Sequence, residues 1–323
     1  MGARGLTEYI RMRFKLVAAT LLGLATGLAS HPADAAETLR IGVQKYGTLV
    51  ILAQQHTLEE RLKPLGVTVE WTEFPGGPQL LEALSAGAID FGTTGDAPPI
   101  FAQAARDALV YVAVEPAAPT GEAILVPKDS PLRSLGDLKG KKVALNKGSN
   151  VHFLLVQALA QAGLTPKDIT PVYLTPADAR AAFERGNVDA WAIWDPFLAA
   201  AQAATEGRTL ADGTGLATNR QFYLASRQLA ASHPDWIQAV TQEVAKTDAW
   251  AAGHQHEVAE LLSPKTGLPV PVLETSLARL GYGVTPVDDA VLQSQQQIAD
   301  TFFKLGLIPK PIAVRDAAWN APS

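Results

Sequence analysis

Five short turns of the sequence carry the residue types that bind small anions. Each turn follows an apolar run with the pattern of a strand and precedes a run with the pattern of a helix. The turns are rich in glycine, serine, threonine, asparagine, aspartate and proline, which are favoured where helices begin. Helix N-termini present unpaired N–H groups and a positive dipole end, which attract negative charge. The turns are QKYGT (44–48), TTGDAPP (93–99), KGSNVH (147–152), LTPAD (174–178) and WDPF (194–197).

Any one of these turns can cap a helix without binding a ligand. Ser149, Thr175 and Asp96 are all ordinary helix caps. Because a carboxylate repels an anion, we expect Asp96 to turn towards its own helix and to leave Thr94 and the Gly95 backbone for the ligand. The recurrence of such turns at one edge of a sheet favours an anion-binding cleft.

Two tryptophans and an acid stand at the end of one predicted strand. The run NVDAWAIWDPFLAAAQ (187–202) has the pattern of a buried strand followed by a helix. Because Trp191 and Trp194 are three residues apart, they face opposite sides of a straight strand, and we expect Trp194 to line the cleft. The alternative is that both belong to the core, where large aromatics are common. Asp195 and Glu122 stay open between a solvated loop position and a place at the hinge or cleft floor.

Motifs for catalysis and for metal or phosphate binding are imperfect or missing. In GDLKGKK (136–142) the two glycines enclose three residues, whereas a phosphate loop needs four, and no Ser or Thr follows the lysine. His254 and His256 are two residues apart on a predicted helix, so their side chains point apart. The chain has no cysteine, which excludes thiolate nucleophiles and cysteine-ligated metals. We expect no catalytic residue, metal or cofactor.

The composition is that of an exported globular protein. The 323 residues are 47% hydrophobic and 18% charged, and the net charge of −5 does not favour nucleic acid or anionic lipid. Basic residues precede an apolar run over 16–28, and PADAAE (32–37) follows with an A-x-A cleavage site. That apolar run is too short to span a bilayer. We predict a signal peptide over 1–35 and a periplasmic location.

Strand-like and helix-like segments alternate beyond the signal peptide, as in α/β proteins. Two extended stretches, 122–131 and 221–230, have the pattern of crossings between two lobes, and helices dominate beyond the second. We predict a first lobe over 36–122 that resumes at 226–323, and a second lobe over 123–225. Ligands of such folds bind between the lobes, at the C-terminal ends of the strands.

Three segments closely resemble the alkanesulfonate-binding proteins of bacterial ABC importers. They are 74–105 (FPGGPQLLEALSAGAIDFGTTGDAPPIFAQAA), 147–164 (KGSNVHFLLVQALAQAGL) and 173–201 (YLTPADARAAFERGNVDAWAIWDPFLAAA). The resemblance implies an α/β, two-lobed type II periplasmic-binding fold of the Venus-flytrap kind. Each lobe is then a mixed sheet flanked by helices, with a helical C-terminal segment. The residues expected to line the cleft are Gln44, Lys45, Thr94, Gly95, Asp96, Glu122, Gly148, Ser149, Asn150, Trp191, Trp194 and Asp195.

The resemblance also implies a function and partners. The protein is expected to capture aliphatic sulfonates as a monomer and to deliver them to an ABC permease with its ATPase for sulfur acquisition. Helix N-termini and hydroxyls can satisfy the oxygens of a sulfonate, and an aromatic wall can cover the alkyl chain. The alternatives are taurine, nitrate or a sulfate ester as ligand, and a ligand-sensing role at a receptor. An enzyme of the pyrimidine-synthesis branch of this fold is disfavoured, because it requires a cysteine-rich cluster.

Overall fold

The computed structural model describes residues 37–320. The predicted signal peptide over 1–35 lies outside the described residues. Within 37–320, no helix is both long enough and apolar enough to cross a membrane.

The strands of the described chain form two sheets. They are β1 (Glu37–Val43), β2 (Val67–Glu73), β3 (Phe91–Thr94), β4 (Leu109–Val114), β5 (Glu122–Val126), β6 (Lys142–Leu145), β7 (Thr170–Tyr173), β8 (Ala190–Trp194), β9 (Arg208–Asp212), β10 (Phe222–Ser226) and β11 (Thr285–Pro286). The first sheet has the order β11-β4-β10-β3-β1-β2 and the second the order β7-β6-β8-β5-β9. Both are mixed, because β10 runs antiparallel to β3 and β4, and β5 runs antiparallel to β8 and β9.

Helices cover both sheets and dominate the C-terminal part. They are α1 (Thr48–Gln55), α2 (Thr57–Leu62), α3 (Gly77–Ser85), α4 (Pro98–Ala105), α5 (Asn150–Gln161), α6 (Pro176–Glu184), α7 (Phe197–Thr205), α8 (Arg227–Ser232), α9 (Pro234–Gly253), α10 (Gln255–Thr266), α11 (Val270–Leu277) and α12 (Asp289–Lys304). The predicted α/β fold with a helical C-terminal segment is therefore confirmed.

Each lobe has its own apolar core. One face of the first sheet packs against α3, α4 and α12, with Leu80, Ile100 and Phe302 buried there. The other face packs against α1, α2 and α9. The second sheet buries Leu154 of α5 and Phe183 of α6. The two lobes are thus separate layered units, as the alternating sequence pattern predicts.

The lobe borders at 122 and 225 stay a prediction. They depend on where the chain crosses between the two sheets. β5 begins the second sheet at Glu122, and β10 already lies in the first sheet at Phe222. One helix prediction is wrong. The pattern over 49–62 predicts a single helix, but His56 adopts a left-handed φ of 59°, which ends α1 and starts α2.

Candidate functional site

A cavity of about 270 Å³ lies where turns of the two lobes meet. The first lobe supplies the β1–α1 and β2–α3 turns, and the second supplies the β7–α6 and β8–α7 turns. Three of the five turns singled out in the sequence therefore contribute to it. Its lining residues are Gln44, Lys45, Tyr46, Glu73, Phe74, Pro75, Thr175, Pro176, Ala177, Trp194 and Phe197.

A larger groove of about 540 Å³ runs along α3 and α4. It is lined by residues of the first lobe, among them Leu81, Phe101 and Ile308. None of the twelve predicted ligand-binding residues lines this groove. The smaller cavity is the candidate site, because the turns at the ends of β1, β7 and β8 meet there.

The two tryptophans have different surroundings. Trp191 is fully buried in the core of the second lobe, where its ring lies 5.8 Å from that of Phe183. Trp194 lies on the cavity wall, with its ring edge-on to Phe197 at 6.1 Å. Residues three apart along a strand face opposite sides of the sheet, and this separates the two side chains. Trp191 thus packs in the core and Trp194 lies on the cavity wall, and contact of either side chain with the ligand stays a prediction.

The start of α3, which the sequence reasoning missed, adjoins the cavity next to Trp194. A Cβ built on Gly76 would lie 3.6 Å from Trp194 Cη2 and 3.5 Å from Asn146 Nδ2. The N–H groups of Gly77 and Gln79 have no acceptor within the helix, because they belong to its first turn. The α3 N-terminus therefore faces an aromatic ring and an amide of the other lobe.

Two amide oxygens next to this helix start lack a partner. Gln79 Oε1 and Asn146 Oδ1 are buried, and neither has a hydrogen-bond partner among the described residues. Buried polar atoms are normally paired, and an amide can exchange its N and O positions by rotation. Asn146 already turns its Nδ2 towards Gly76, and rotation of the Gln79 amide would bring its Nε2 there, so both side chains can donate to an anion held at the α3 N-terminus.

A sequence signal for this helix start exists. FPGGP (74–78) follows a strand and places two glycines ahead of a proline, the residue preferred at the first helical position. Gly76 has an extended backbone with φ −175°, so its small size serves close approach and not an unusual conformation. The turn has no polar side chain of its own, so a pattern of polar capping residues does not reveal it.

The side chains of Ser149 and Asn150 at the N-terminus of α5, in contrast, already bond to other protein groups. Ser149 Oγ donates to the Asn146 carbonyl at 2.7 Å, and the Gly148 N–H donates to His152 Nδ1 at 3.2 Å. Asn150 Nδ2 donates to Glu122 Oε2 at 2.6 Å and to Asn219 Oδ1 at 2.8 Å. The structure does not place these residues on the cavity wall. Ligand contacts of Gly148, Ser149 and Asn150 stay a prediction.

Glu122 and Asp96 are buried acids near the crossing strands. Burial raises the pKa of Glu122 well above its usual range, and the charge of Asp96 raises it further. Burial also raises the pKa of Asp96 to about 6. Glu122 Oε1 and Asp96 Oδ1 have no hydrogen-bond partner among the described residues. The alternative that Glu122 is a solvated loop acid is wrong, because its side chain is fully buried.

Asp96 does not cap its own helix, contrary to expectation. Its Oδ2 accepts from Thr218 Oγ1 at 3.1 Å, and this bond, together with the backbone N–H groups of Arg220, Asp96 and Ala97, opposes the rise in its pKa. α4 begins with Pro98 and Pro99, which have no N–H for a side chain to cap. The carboxyl therefore binds the chain segment that leads into β10.

Gly95 and Thr94 lie beside Asp96 at a contact between the lobes. A Cβ built on Gly95 would lie 2.9 Å from Asn150 Cβ, so the first lobe approaches the second with no space for a side chain. Thr94 is fully buried, and its Oγ1 donates to the Gly95 carbonyl at 3.0 Å. The turn therefore packs against the second lobe and is not among the residues that line the cavity.

Asp195 is buried and paired. Its Oδ1 accepts from the Ala199 N–H at 3.0 Å, and Arg279 Nη1 lies 3.3 Å from Oδ2. Burial raises its pKa to about 6, while Arg279 opposes that shift. The alternative of a solvated loop acid is therefore wrong for Asp195 too, and its side chain serves the β8–α7 turn.

The β1–α1 turn supplies polar groups to the cavity. Gln44 Nε2 donates to the Thr93 carbonyl at 2.9 Å, which fixes its side chain on the cavity wall. Lys45 brings a positive charge to the same wall. Within the described part of the chain the buried Tyr46 hydroxyl has no hydrogen-bond partner, and burial together with the charge of Asp195 raises its pKa. The cavity thus combines the polar groups of the β1–α1 turn with aromatic surface from both lobes.

A cavity between two α/β lobes, lined by the N-terminus of α6 and by aromatic rings from both lobes, is typical of a solute-binding protein. Among the described residues, no group of three or more His, Cys, Asp and Glu side chains is placed to hold a metal ion. The chain belongs to the NMT1/THI5 like family, whose model matches residues 62–258.

Known relatives match the chain over most of its length. A protein of Escherichia coli (strain K12) named for binding aliphatic sulfonates is 47% identical over 312 residues, which are 96% of this chain and 97% of that protein. The alkanesulfonate-binding protein SsuA from Xanthomonas axonopodis pv. citri bound to MOPS is 45% identical, with a TM-score of 0.83 over 88% of this chain and 99% of its own. The periplasmic aliphatic sulphonate binding protein SsuA from Escherichia coli is 47% identical, with a TM-score of 0.80 over 89% of this chain and 93% of its own.

Proposed function

We propose that the protein binds aliphatic sulfonates in the interlobe cavity. One observation carries the proposal: the α3 N-terminus lies close to Trp194, since a Cβ built on Gly76 would be 3.6 Å from the ring. Donors for a charged head and an apolar wall for a tail are thereby presented within one small site. The relatives named for sulfonate binding support this assignment.

The head group would lie at the start of α3. A sulfonate has three acceptor oxygens, and the N–H groups of Gly77 and Gln79, the Asn146 amide and the α3 dipole can meet them without a buried counter-ion. Each hydrogen bond to a charged group contributes about 1.5–3 kcal/mol. Lys45 on the cavity wall adds a favourable charge.

The alkyl tail would lie against the apolar wall. Phe74 and Pro75 come from the first lobe, and Trp194 and Phe197 come from the second. Covering one methylene contributes about 0.8 kcal/mol. The wall therefore favours an organosulfonate over nitrate or sulfate, which have no tail.

We further propose that the protein acts in the periplasm as a monomer, with residues 36–122 and 226–323 as one lobe and 123–225 as the other. The predicted signal peptide and the periplasmic relative support that location. Delivery to an ABC permease with its ATPase follows from the same likeness. Light scattering of the mature chain would test the monomer, and co-purification with the permease in detergent would test the partner.

A thermal-shift screen of the mature protein tests the ligand. Ethane-, pentane- and octanesulfonate, taurine, a sulfate ester, sulfate and nitrate form the panel. A ligand present at 100 times its Kd adds about 2.7 kcal/mol to the free energy of unfolding, which is readily detected. Stabilisation by alkanesulfonates supports the proposal. Stabilisation by nitrate or sulfate alone, or by no sulfonate, contradicts it.

A further inference from the structure

Arg279 connects the first lobe to a buried acid of the second. It follows α11, which packs against α1 of the first lobe. Its Nη1 lies 3.3 Å from Oδ2 and 3.4 Å from Oδ1 of Asp195, at the end of β8. Its Nη2 donates to Gln202 Oε1 on α7 at 3.0 Å. One guanidinium thus holds two side chains of the other lobe.

The acid that Arg279 holds is built into the cavity wall. Asp195 follows Trp194 directly, and its carboxyl fixes the first turn of α7 through the Ala199 N–H. The Asp195 N–H donates to the Gly121 carbonyl at 2.9 Å, next to the crossing into β5. The residues on either side of this turn, Trp194 and Phe197, line the cavity. Arg279 itself is not among the lining residues.

The exposure of the two partners makes the pair sensitive to lobe movement. The Asp195 side chain is 0% exposed, whereas that of Arg279 is 24% exposed. If the lobes rotate apart, Arg279 moves to solvent, while Asp195 stays in a buried turn. An unpaired buried carboxylate is costly, so separation of the pair opposes opening of the lobes.

We propose that Arg279 is an interlobe latch, a positioning residue that holds the lobes closed and sets the affinity for the ligand without touching it. The latch acts on the lobes themselves, so it goes beyond the proposed function and does not depend on which solute binds. Replacing Arg279 with a neutral residue is therefore expected to weaken the binding of every ligand to a similar degree.

The absence of cysteine from the chain allows a direct test. Cysteines introduced at exposed positions of the two lobes, Glu60→Cys on α2 and Ala160→Cys on α5, carry spin labels for distance measurement by double electron–electron resonance. In the ligand-free protein, Arg279→Gln is expected to add a population at a distance that the unsubstituted protein lacks. With octane-1-sulfonate as the probe, its Kd should rise by about tenfold or more, chiefly through faster dissociation.

Three further variants complete the test. Asp195→Asn should produce the same shift, and combining it with Arg279→Gln should add little, because both changes break one pair. Arg279→Lys, which keeps the charge, should recover part of the affinity. Arg315→Gln is the matched control, because Arg315 pairs with exposed Asp289 at 2.8 Å within the C-terminal segment; it should change neither readout.

The outcomes separate the latch from the ligand assignment. If folded Arg279→Gln keeps the distances and the Kd of the unsubstituted protein, the latch is overturned. If Arg279→Gln does not fold, the Asp195→Asn and Arg279→Lys variants decide by the same readouts. If octane-1-sulfonate does not bind to the protein, and Arg279→Gln still shifts the distances of the ligand-free protein, the latch stands and the sulfonate assignment fails.

Discussion

At the scale of single residues, the interlobe gap at Gly76 is where size matters most. Its backbone is extended, so alanine fits its conformation, and the added methyl would lie 3.1 Å from Gln79 Oε1 and about as far from Trp194 and Asn146 as an ordinary contact. The protein itself can therefore accept the methyl with small adjustments. A ligand head at the α3 N-terminus cannot share that space with it.

Gly76→Ala is accordingly expected to weaken all sulfonates by about tenfold or more, which is about 1.4 kcal/mol or more. The free energy of unfolding of the ligand-free protein should change by less than about 0.5 kcal/mol. Titration calorimetry and urea unfolding measure the two quantities. Gly253→Ala, where a Cβ meets nothing within 4 Å, is the control. Equal affinities in both variants would remove the head group from the start of α3.

Trp194→Ala is expected to penalise long alkyl chains more than short ones, by about 0.8 kcal/mol for each methylene that loses its cover. Calorimetry of ethane- through octanesulfonate shows this as a slope of affinity loss against chain length. Trp191→Phe is the matched comparison, because that ring packs in the core against Phe183. It should cost about 1–3 kcal/mol of folding stability and show no such slope. A flat profile for Trp194→Ala would contradict its place on the tail.

The sequence predicts which turns lie near the site better than it predicts what each side chain does there. The alternation of strands predicts that Trp194 and Trp191 face opposite ways. The burial of Glu122 cannot be predicted from the residues next to it in the sequence, because it depends on Asn150, which is 28 positions away. The pairing of Asp195 likewise depends on Arg279, far along the chain.

At the scale of secondary structure, a clear strand pattern followed by a helix pattern predicts a strand correctly, whereas strands without that pattern are missed. The predicted strands that became β1, β2, β3, β6, β7 and β8 each precede a segment with a helix pattern. β4 and β9 carry no such signal, since β4 is buried throughout and β9 is a polar edge strand. The break between α1 and α2 depends on a single residue, His56, in a left-handed conformation that the apolar spacing does not reveal.

Glu115 joins three elements and should make stability depend on pH. It follows β4, and its Oε1 accepts from Tyr223 of β10 and from Thr48 of α1, the latter at 3.2 Å. Burial raises its pKa from the usual value to about 8, with the charge of Asp248 adding to the effect. Because the folded state holds this proton more tightly than the unfolded state, the contribution is full below the unfolded pKa and is lost as pH rises towards 8.

Glu115→Gln should therefore flatten the fall in unfolding free energy between about pH 5 and pH 8, where one such group contributes up to about 1.4 kcal/mol per pH unit. Urea unfolding across this range measures the slope. Glu82→Gln, an exposed acid on α3, is the control and should leave the slope as it is. Parallel profiles for Glu115→Gln and the unsubstituted protein would mean that Glu115 is ionised when folded.

At the scale of the whole molecule, the close contact of Gly95 with Asn150 predicts what limits closure. Gly95→Ala places a methyl 2.9 Å from Asn150 Cβ, so one lobe must move. With saturating octanesulfonate, this variant should keep a larger radius of gyration than the unsubstituted protein and bind about tenfold more weakly or worse. Small-angle scattering with and without ligand tests this difference. It also tests whether the radius of gyration of the unsubstituted protein falls when the lobes close on the ligand. Identical radii in all four samples would contradict hinge closure.

The order of strands also affects how the protein is made. Every strand of the second sheet comes from the continuous stretch between Glu122 and Asp212, so that sheet can assemble as soon as this stretch has emerged. In the first sheet, β10 lies between β4 and β3, and it arrives more than a hundred residues after both. Closing so long a loop is slow. A growing chain that stops short of Phe222 therefore holds one lobe able to fold and one split into unjoined halves, and folding is completed from the inserted lobe outwards.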